Sequence, residues 1–183
     1  LQGRHVYGNS VQIDGTLTVT SYDGSAGTGS LEIVAPTMIV GPGGRVSADG
    51  KGWPGGQGPG KGANGIMGVS SHSGAGGGYG GRGGDFGSIL GGLAYGSLVE
   101  PADLGSGGGY SLANYAGGGA GGGALKITVA GELRLDGSIM ANGLATIDVY
   151  AAYWNSGGGA GSGGSILIRT GSLTGSGVIA AHG

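Results

Sequence analysis

Residues 123–143 read GALKITVAGELRLDGSIMANG, and this stretch decides the fold because it recurs along the chain. A first copy fills residues 29–50 and a third fills residues 164–183, so each copy is about 20 residues long. All three begin with the signature Gly-[Ser/Ala]-[Leu/Ile]-x-Ile. Residues 11–19, VQIDGTLTV, match the second half of a copy, with the same central Asp-Gly. The chain is therefore a repeat protein.

Within each copy, apolar residues alternate with polar ones. In the second copy Leu125 and Ile127 flank a lysine, and the alternation continues until Gly131 and Asp136-Gly137 interrupt it. A period of two is the pattern of a β-strand, and glycine supplies the positive φ that a turn needs. Each copy therefore predicts three short strands.

Short strands in repeats of this length are typical of a solenoid, in which each coil stacks on the next through parallel ladders. The sequence therefore predicts an all-β fold, a glycine-rich β-solenoid that resembles a β-helix. Because Ile33, Ile127 and Ile168 share one place in the signature, we expect them to stack in register.

Glycine fills 53 of 183 positions and is concentrated between the copies. We predict a single domain, residues 1–183, with insertions at 51–122 and 144–163. Glycines three residues apart, at Gly77, Gly80 and Gly83, predict polyproline-II-like strands whose bare edges pack backbone against backbone. These three glycines should therefore tolerate alanine badly.

Composition excludes several classes of protein. With only 5 prolines and no sustained Gly-X-Y register, the chain is not a collagen. A net charge of -2 with scattered basic residues predicts no nucleic-acid partner. The absence of cysteine excludes disulfides and thiolate metal sites. No stretch approaches the roughly 20 apolar residues that span a bilayer, so we expect no membrane span.

The sequence offers little catalytic chemistry. The three histidines lie far apart, and no serine sits in a strand-to-helix Gly-x-Ser-x-Gly. Asp14, Asp49 and Asp136 each precede a glycine, where a carboxylate caps its own turn. We therefore predict no catalytic residue, no metal site, no cofactor and no enzymatic activity.

Aromatic residues lie outside the repeated strands, interleaved with glycine. Flat rings can stack on sugars, fill a groove in a partner, or pack the insertions onto the strands. Internal packing is the favoured interpretation, with subunit contact second and glycan contact third. The candidates for ligand or partner contact are Trp53, Tyr79, Tyr95, Tyr110, Tyr153 and Trp154.

Three features carry a resemblance: the repeated units, residues 46–52 (VSADGKG) and residues 95–109 (YGSLVEPADLGSGGG). Together they resemble glycine-rich β-solenoid segments of large secreted or cell-surface proteins. The glycine triplets look similar to polyglycine-II bundles in glycine-rich antifreeze proteins and phage adhesin tips. The resemblance implies an extracellular or cell-surface location and an architecture, without an activity.

Two functions remain open. The favoured one is a non-catalytic extracellular structural protein, a self-assembling subunit or module of a surface filament or matrix. The alternative is an adhesin or carbohydrate-binding module that contacts a glycan. A polysaccharide-degrading β-helix enzyme ranks last, because few charged residues recur on the strands.

Self-assembly follows from uncapped repeats, since an open strand edge is a template for another strand. The residues expected at the two ends are Val11, Ile13 and Leu17 on one side and Ile179 and Ala181 on the other. We therefore expect a homo-oligomer, a head-to-tail polymer.

Overall fold

The computed structural model describes residues 1–65, 73–111, 116–146 and 157–183, and within them it contains ten strands and no helix. The described residues therefore include no helix long and apolar enough to cross a membrane. The strands are β1 (Gly3–Val6), β2 (Val11–Ile13), β3 (Thr16–Thr18), β4 (Ser30–Ala35), β5 (Met38–Val40), β6 (Arg45–Ser47), β7 (Ala124–Leu135), β8 (Ser138–Met140), β9 (Ser165–Thr174) and β10 (Val178–Ala180).

The strands lie in four tiers, and every neighbouring pair of strands is parallel. Tier 1 holds β1, β2 and β3; tier 2 holds β4, β5 and β6; tier 3 holds β7 and β8; tier 4 holds β9 and β10. The long strand β7 pairs with β4 along its first half and with β5 along its second. This pairing joins six strands in one sheet, while β10, β8, β6 and β3 form another.

The predicted fold class, an all-β glycine-rich β-solenoid, is wrong. The parallel strands form a curled half-barrel sheet, like the strand layer of an α/β protein, although the described residues include no helix. The chain leaves the strands after Ser47 and returns at Ala124, then leaves after Met140 and returns at Ser165. Because the two excursions together build a layer apart from the strands, consecutive repeats are not successive turns around one closed core.

Register within the half-barrel follows the repeats. Ile33 pairs with Ile127, and Ile127 pairs with Ile168, so the expected alignment of the three isoleucines is confirmed. On the outer face, Glu32 lies between Arg4 and Lys126 and bridges both, at 3.5 and 3.4 Å. Such exposed pairs contribute at most about 1 kcal/mol each, so the side chains inside the curl supply most of the stability.

The core consists of columns of side chains. Each column is formed by residues that pair in register from one tier to the next, as Ile33, Ile127 and Ile168 do. The buried members of the core come mainly from tiers 2 and 3, and burial of each large side chain stabilises the fold by about 1.5–3 kcal/mol. The cluster contains Ile13, Val19, Leu31, Ile33, Met38, Val40, Val46, Ala48, Leu125, Ile127, Val129, Leu133, Leu135, Ile139 and Ala141.

The excursions form what we call the glycine layer, residues 48–65, 73–111, 116–123, 141–146 and 157–164. The excursions begin up to three residues earlier than the predicted insertions and end one residue later. None of the residues in these described ranges belongs to a strand, yet their backbones are hydrogen-bonded to one another.

Hydrogen bonds in the glycine layer recur every third residue. Segment 105–109 illustrates this: Trp53 N donates to Gly105 O at 3.0 Å and Gly56 N to Gly108 O at 2.7 Å. On another side, Gly105 N donates to Gly122 O and Gly108 N to Gly119 O. Three residues per turn is the period of an extended polyproline-II helix, which has no internal hydrogen bonds and leaves its backbone free for neighbours.

Candidate functional site

The half-barrel ends in two open strand edges. β1, β2 and β3 form the tier 1 edge, and β9 and β10 form the tier 4 edge. Each has a described partner strand on one side only. An edge strand presents unpaired N–H and C=O groups that can pair with another chain, so both edges are candidate interaction surfaces.

Two core columns reach the tier 4 edge without cover. Met38 and Leu133 are buried, whereas Leu173, the next residue of their column, is 53% exposed. Ile139 is fully buried, whereas its partner Ile179 is 44% exposed. The repeat places a core residue at these positions, but no described tier covers it.

The predicted self-association residues divide between the two edges. Val11, Ile13 and Leu17 lie on tier 1, where Ile13 is buried and the other two are half-buried. Ile179 lies on β10, and the exposed Ala181 is the first residue after the end of that strand. Val11 belongs to the column of Leu173, and Leu17 belongs to the column of Ile179. Of the predicted residues, Leu17 and Ile179 therefore lie at opposite ends of one column, whereas Val11 lies opposite Leu173, which was not predicted.

Part of the tier 1 edge is occupied. The Leu1 amino group donates to Thr18 O at 2.9 Å, and Thr20 N donates to Leu1 O at 2.8 Å. Leu1 thus takes the place of a strand beside the end of β3. β1 and β2 have no such cover among the described residues.

Backbone contacts in the glycine layer leave no room for a side chain at most of its glycine positions. A Cβ on Gly159 would lie 1.8 Å from Ala75 O, and one on Gly83 would lie 2.1 Å from Gly76 O. Gly77 is similarly crowded, with Ser106 O at 2.5 Å. The expectation for Gly80 is wrong, because a Cβ there would meet nothing within 4 Å. Gly80 is at the rim of a groove, where no backbone approaches it.

Most of the predicted aromatic contact residues pack against the protein itself. Trp53 meets Tyr22 edge to face with ring centroids 4.5 Å apart, and Tyr79 meets Tyr95 at 5.0 Å. Such pairs contribute about 0.5–1.5 kcal/mol beyond their buried area. The rings therefore help to anchor the glycine layer.

Tyrosine hydroxyls tie further segments together. Tyr110 donates to Gly55 O at 2.7 Å, and Tyr95 donates to Leu104 O. Ser106 donates to the Tyr95 hydroxyl at 2.8 Å. Burial raises the pKa of Tyr95 to about 12. Two further candidates, Tyr153 and Trp154, lie outside the described residues.

Carboxylates sit at turns. Asp49 accepts from Asn142 N at 2.7 Å, from Ser47 Oγ at 3.0 Å and from the Arg45 guanidinium. Burial opposes ionisation of Asp49, but these hydrogen bonds outweigh it and lower its pKa. Across residues 1–65, 73–111, 116–146 and 157–183, no group of three or more His, Asp or Glu side chains could hold a metal ion.

Sequence analysis missed two groups of exposed apolar residues. Leu173 corresponds to the buried Leu133 of the second copy, so aligning the third copy with the second would have identified it. Leu98 and Val99 are 91% and 88% exposed on a loop whose Glu100 bridges Arg169 at 3.0 Å. Residues 97–104, SLVEPADL, contain no glycine, so the break in the glycine pattern could have identified this loop.

No protein-family model matches the chain, and comparisons with curated proteins and with solved structures found no match. The geometry of the two edges and of the glycine layer therefore carries the functional argument.

Proposed function

We propose that the chain is a non-catalytic structural protein that self-assembles head to tail, as a subunit or module of a filament or matrix at the cell surface. The observation that carries the proposal is the pair of open edges, which end the same core columns on opposite sides of the half-barrel. Because the two edges are different surfaces, their contact is heterologous, and such contacts propagate unless they close into a ring.

Strand direction favours stacking. All tiers run parallel, so a second copy placed on tier 4 adds its tier 1 as the next parallel tier, without reversal. In that register Val11 of the second copy lies over Leu173, and its Leu17 lies over Ile179. Both contacts join apolar residues, and each continues a column that is buried in tiers 2 and 3.

Burial of apolar side chains supplies the driving force. Leu173 and Ile179 expose about half of their surface, and removing apolar area from water yields about 25 cal/mol per Å². Backbone pairing along β9, which spans Ser165–Thr174, adds direction and register. Leu1 lies beside the end of β3, so it must move aside for full contact at that point.

The extracellular part of the proposal rests on the glycine-rich repeats and their resemblance to secreted and surface proteins. A fold held by backbone hydrogen bonds and small side chains suits a building material. The glycan-binding alternative has less support, because Trp53, Tyr79 and Tyr95 use their rings for internal contacts.

Light scattering on two double variants tests the polymer. Leu173→Lys with Ile179→Lys places charges at the inward ends of the columns and should leave monomers where the parent forms a concentration-dependent polymer. Thr174→Lys with Val178→Lys is the matched control, since it puts the same charges on the same strands at neighbouring positions outside the columns. The control should still polymerise. A parent that stays monomeric at its highest soluble concentration would contradict the proposal, as would equal loss in both variants.

A further inference from the structure

A groove of about 730 Å³ runs along the glycine layer and reaches the tier 4 edge at Gly164 and Ala181. One wall is segment 159–164, the other is formed by residues 74–86, and Ala181 and Gly183 line one end. Its volume lies in the range of ordinary ligand sites, about 300–1,000 Å³. Unlike those sites, it is lined mainly by glycine, so its walls are largely bare backbone.

Segment 159–164 is hydrogen-bonded on several sides, and each set of bonds has the three-residue period. Gly119 N and Gly122 N donate to Gly159 O and Ser162 O, at 2.8 and 2.9 Å. Gly161 N and Gly164 N donate to Leu144 O and Ala141 O. A further set joins the segment to residues 106–109.

One set of backbone groups on this segment has no described partner. The N–H groups of Ala160 and Gly163 donate to no described residue, and the carbonyl of Gly161 accepts from none. The other wall is bonded to residues 157–160 along one side, since Gly74 N and Gly77 N donate to Gly157 O and Ala160 O at 3.0 and 2.9 Å, but the carbonyls of Gly74 and Gly77 have no partner among the described residues. The pairs Ala160/Gly163 and Gly74/Gly77 both have the three-residue spacing that the filled positions show.

We propose that the groove is a strand position that the described residues of the glycine layer leave open, and that it binds an extended, glycine-rich segment of a partner protein. An extended chain with three residues per turn presents N–H and C=O groups at the spacing of the unpaired wall groups. Its residues facing the walls must be glycine, because glycine alone permits this closeness at the positions that are already filled. Peptide strands that add to an open backbone edge obtain affinity from main-chain hydrogen bonds in the same way.

The groove can be closed without disturbing its walls. Gly84 lines it, has an ordinary φ, and a Cβ there would meet nothing within 4 Å. Gly84→Leu therefore fills the groove while Gly84 O still accepts from Gly76 N at 2.9 Å. Gly8→Leu is the matched control, because Gly8 is also open and lies outside the groove lining.

The test is titration of the ¹⁵N-labelled protein with an acetylated, amidated nonapeptide of three Gly-Gly-Ser units. We expect saturable shifts of the Ala160 and Gly163 amides in the parent and in Gly8→Leu, and at least tenfold weaker binding in Gly84→Leu. A nonapeptide of three Gly-Val-Ser units should not bind, since its side chains would hold the backbones apart.

Three outcomes would overturn the proposal: no shift at saturating peptide, equal binding by the two peptides, or unchanged binding by Gly84→Leu. Thermal unfolding of both leucine variants shows whether each remains folded, so that loss of binding is not loss of structure. The two proposals are tested by different substitutions and readouts, Gly84→Leu with amide shifts here and Leu173→Lys with Ile179→Lys and light scattering for the polymer, so one can fail while the other holds.

Discussion

The half-barrel and the glycine layer solve the same packing problem in opposite ways. In the half-barrel, side chains such as Ile33 and Ile127 fill the space between tiers, and alternation of polar and apolar residues decides which face is buried. In the glycine layer, neighbouring segments are in direct backbone contact, and this close packing is possible because glycine has no side chain. One region therefore requires large side chains, whereas the other excludes even a methyl group at crowded positions such as Gly83 and Gly159.

The largest effect should come from a charge in the half-barrel. Ile127 is 1% exposed at the centre of its column, so Ile127→Asp buries a carboxylate among apolar side chains. We expect a loss of about 4 kcal/mol or more, which is most of the stability of an ordinary domain. Urea denaturation followed by circular dichroism measures it.

Thr128→Asp is the control for that change. Thr128 is the next residue of the same strand, is only partly buried, and pairs in register with Arg169. It should stay within about 1 kcal/mol of the parent. Equal destabilisation by the two substitutions would show that the columns do not hold the fold together.

A smaller effect should come from a methyl group in the glycine layer. Gly159→Ala places a Cβ 1.8 Å from Ala75 O, so the backbones must separate, and overpacking of this kind costs about 1–3 kcal/mol. Gly80→Ala meets nothing within 4 Å and should remain within about 0.5 kcal/mol of the parent. The midpoints of urea unfolding give the comparison. If both alanines are neutral, the glycine layer does not depend on close backbone contact.

An effect of intermediate size should come from the tier 1 edge of the half-barrel, where the backbone of Leu1 occupies the place of a strand. Removing Leu1 and Gln2 frees Thr18 O and Thr20 N for the next copy. Two hydrogen bonds of about 1 kcal/mol each should strengthen association by roughly five- to thirtyfold. The concentration at which light scattering begins to rise should fall accordingly.

Leu1→Ala serves as the control, because all three hydrogen bonds of Leu1 are made by its backbone, including the one that its carbonyl accepts from Thr20 Oγ1. That variant should polymerise like the parent. Should the truncated chain associate no more strongly than Leu1→Ala, the next copy does not dock beside β3.

The sequence is most informative where side chains determine the structure. Alternation around Ile127 predicts strands, and the shared signature predicts the register of Ile33, Ile127 and Ile168. The half-barrel was missed because strand periodicity does not say where the chain goes after Ser47 or Met140. A solenoid and a half-barrel with excursions have the same alternation of polar and apolar residues.

Neighbours in the glycine layer could not be predicted at all. Glycine carries no side chain to identify a partner, so nothing in the sequence indicates that Gly108 lies between Gly56 and Gly119. The spacing of Gly77, Gly80 and Gly83 is regular, yet only Gly77 and Gly83 are crowded. Crowding depends on which segments surround a glycine, and that is a property of the whole layer.

The smallest expected effect concerns the Tyr95 hydroxyl, which joins the glycine layer through Leu104 O and Ser106 Oγ. Burial raises the pKa of Tyr95 to about 12, from an ordinary value near 10. Its neutral form is therefore favoured by folding. The stabilisation is complete below pH 10 and is lost as the pH rises from 10 to 12, because only the unfolded chain ionises in that interval.

Tyr95→Phe should lower the free energy of unfolding at pH 8 by about 1 kcal/mol, through lost hydrogen bonds. The free energy of unfolding of this variant should also fall less steeply than that of the parent between pH 10 and 12. Ser106→Ala is the control: it removes a hydrogen bond to the same hydroxyl but leaves the tyrosine to ionise, so the steep alkaline loss should remain. Urea unfolding across that interval compares the three proteins. If Tyr95→Phe and Ser106→Ala lose stability in parallel at alkaline pH, burial of the Tyr95 hydroxyl is not the cause of the alkaline loss of stability.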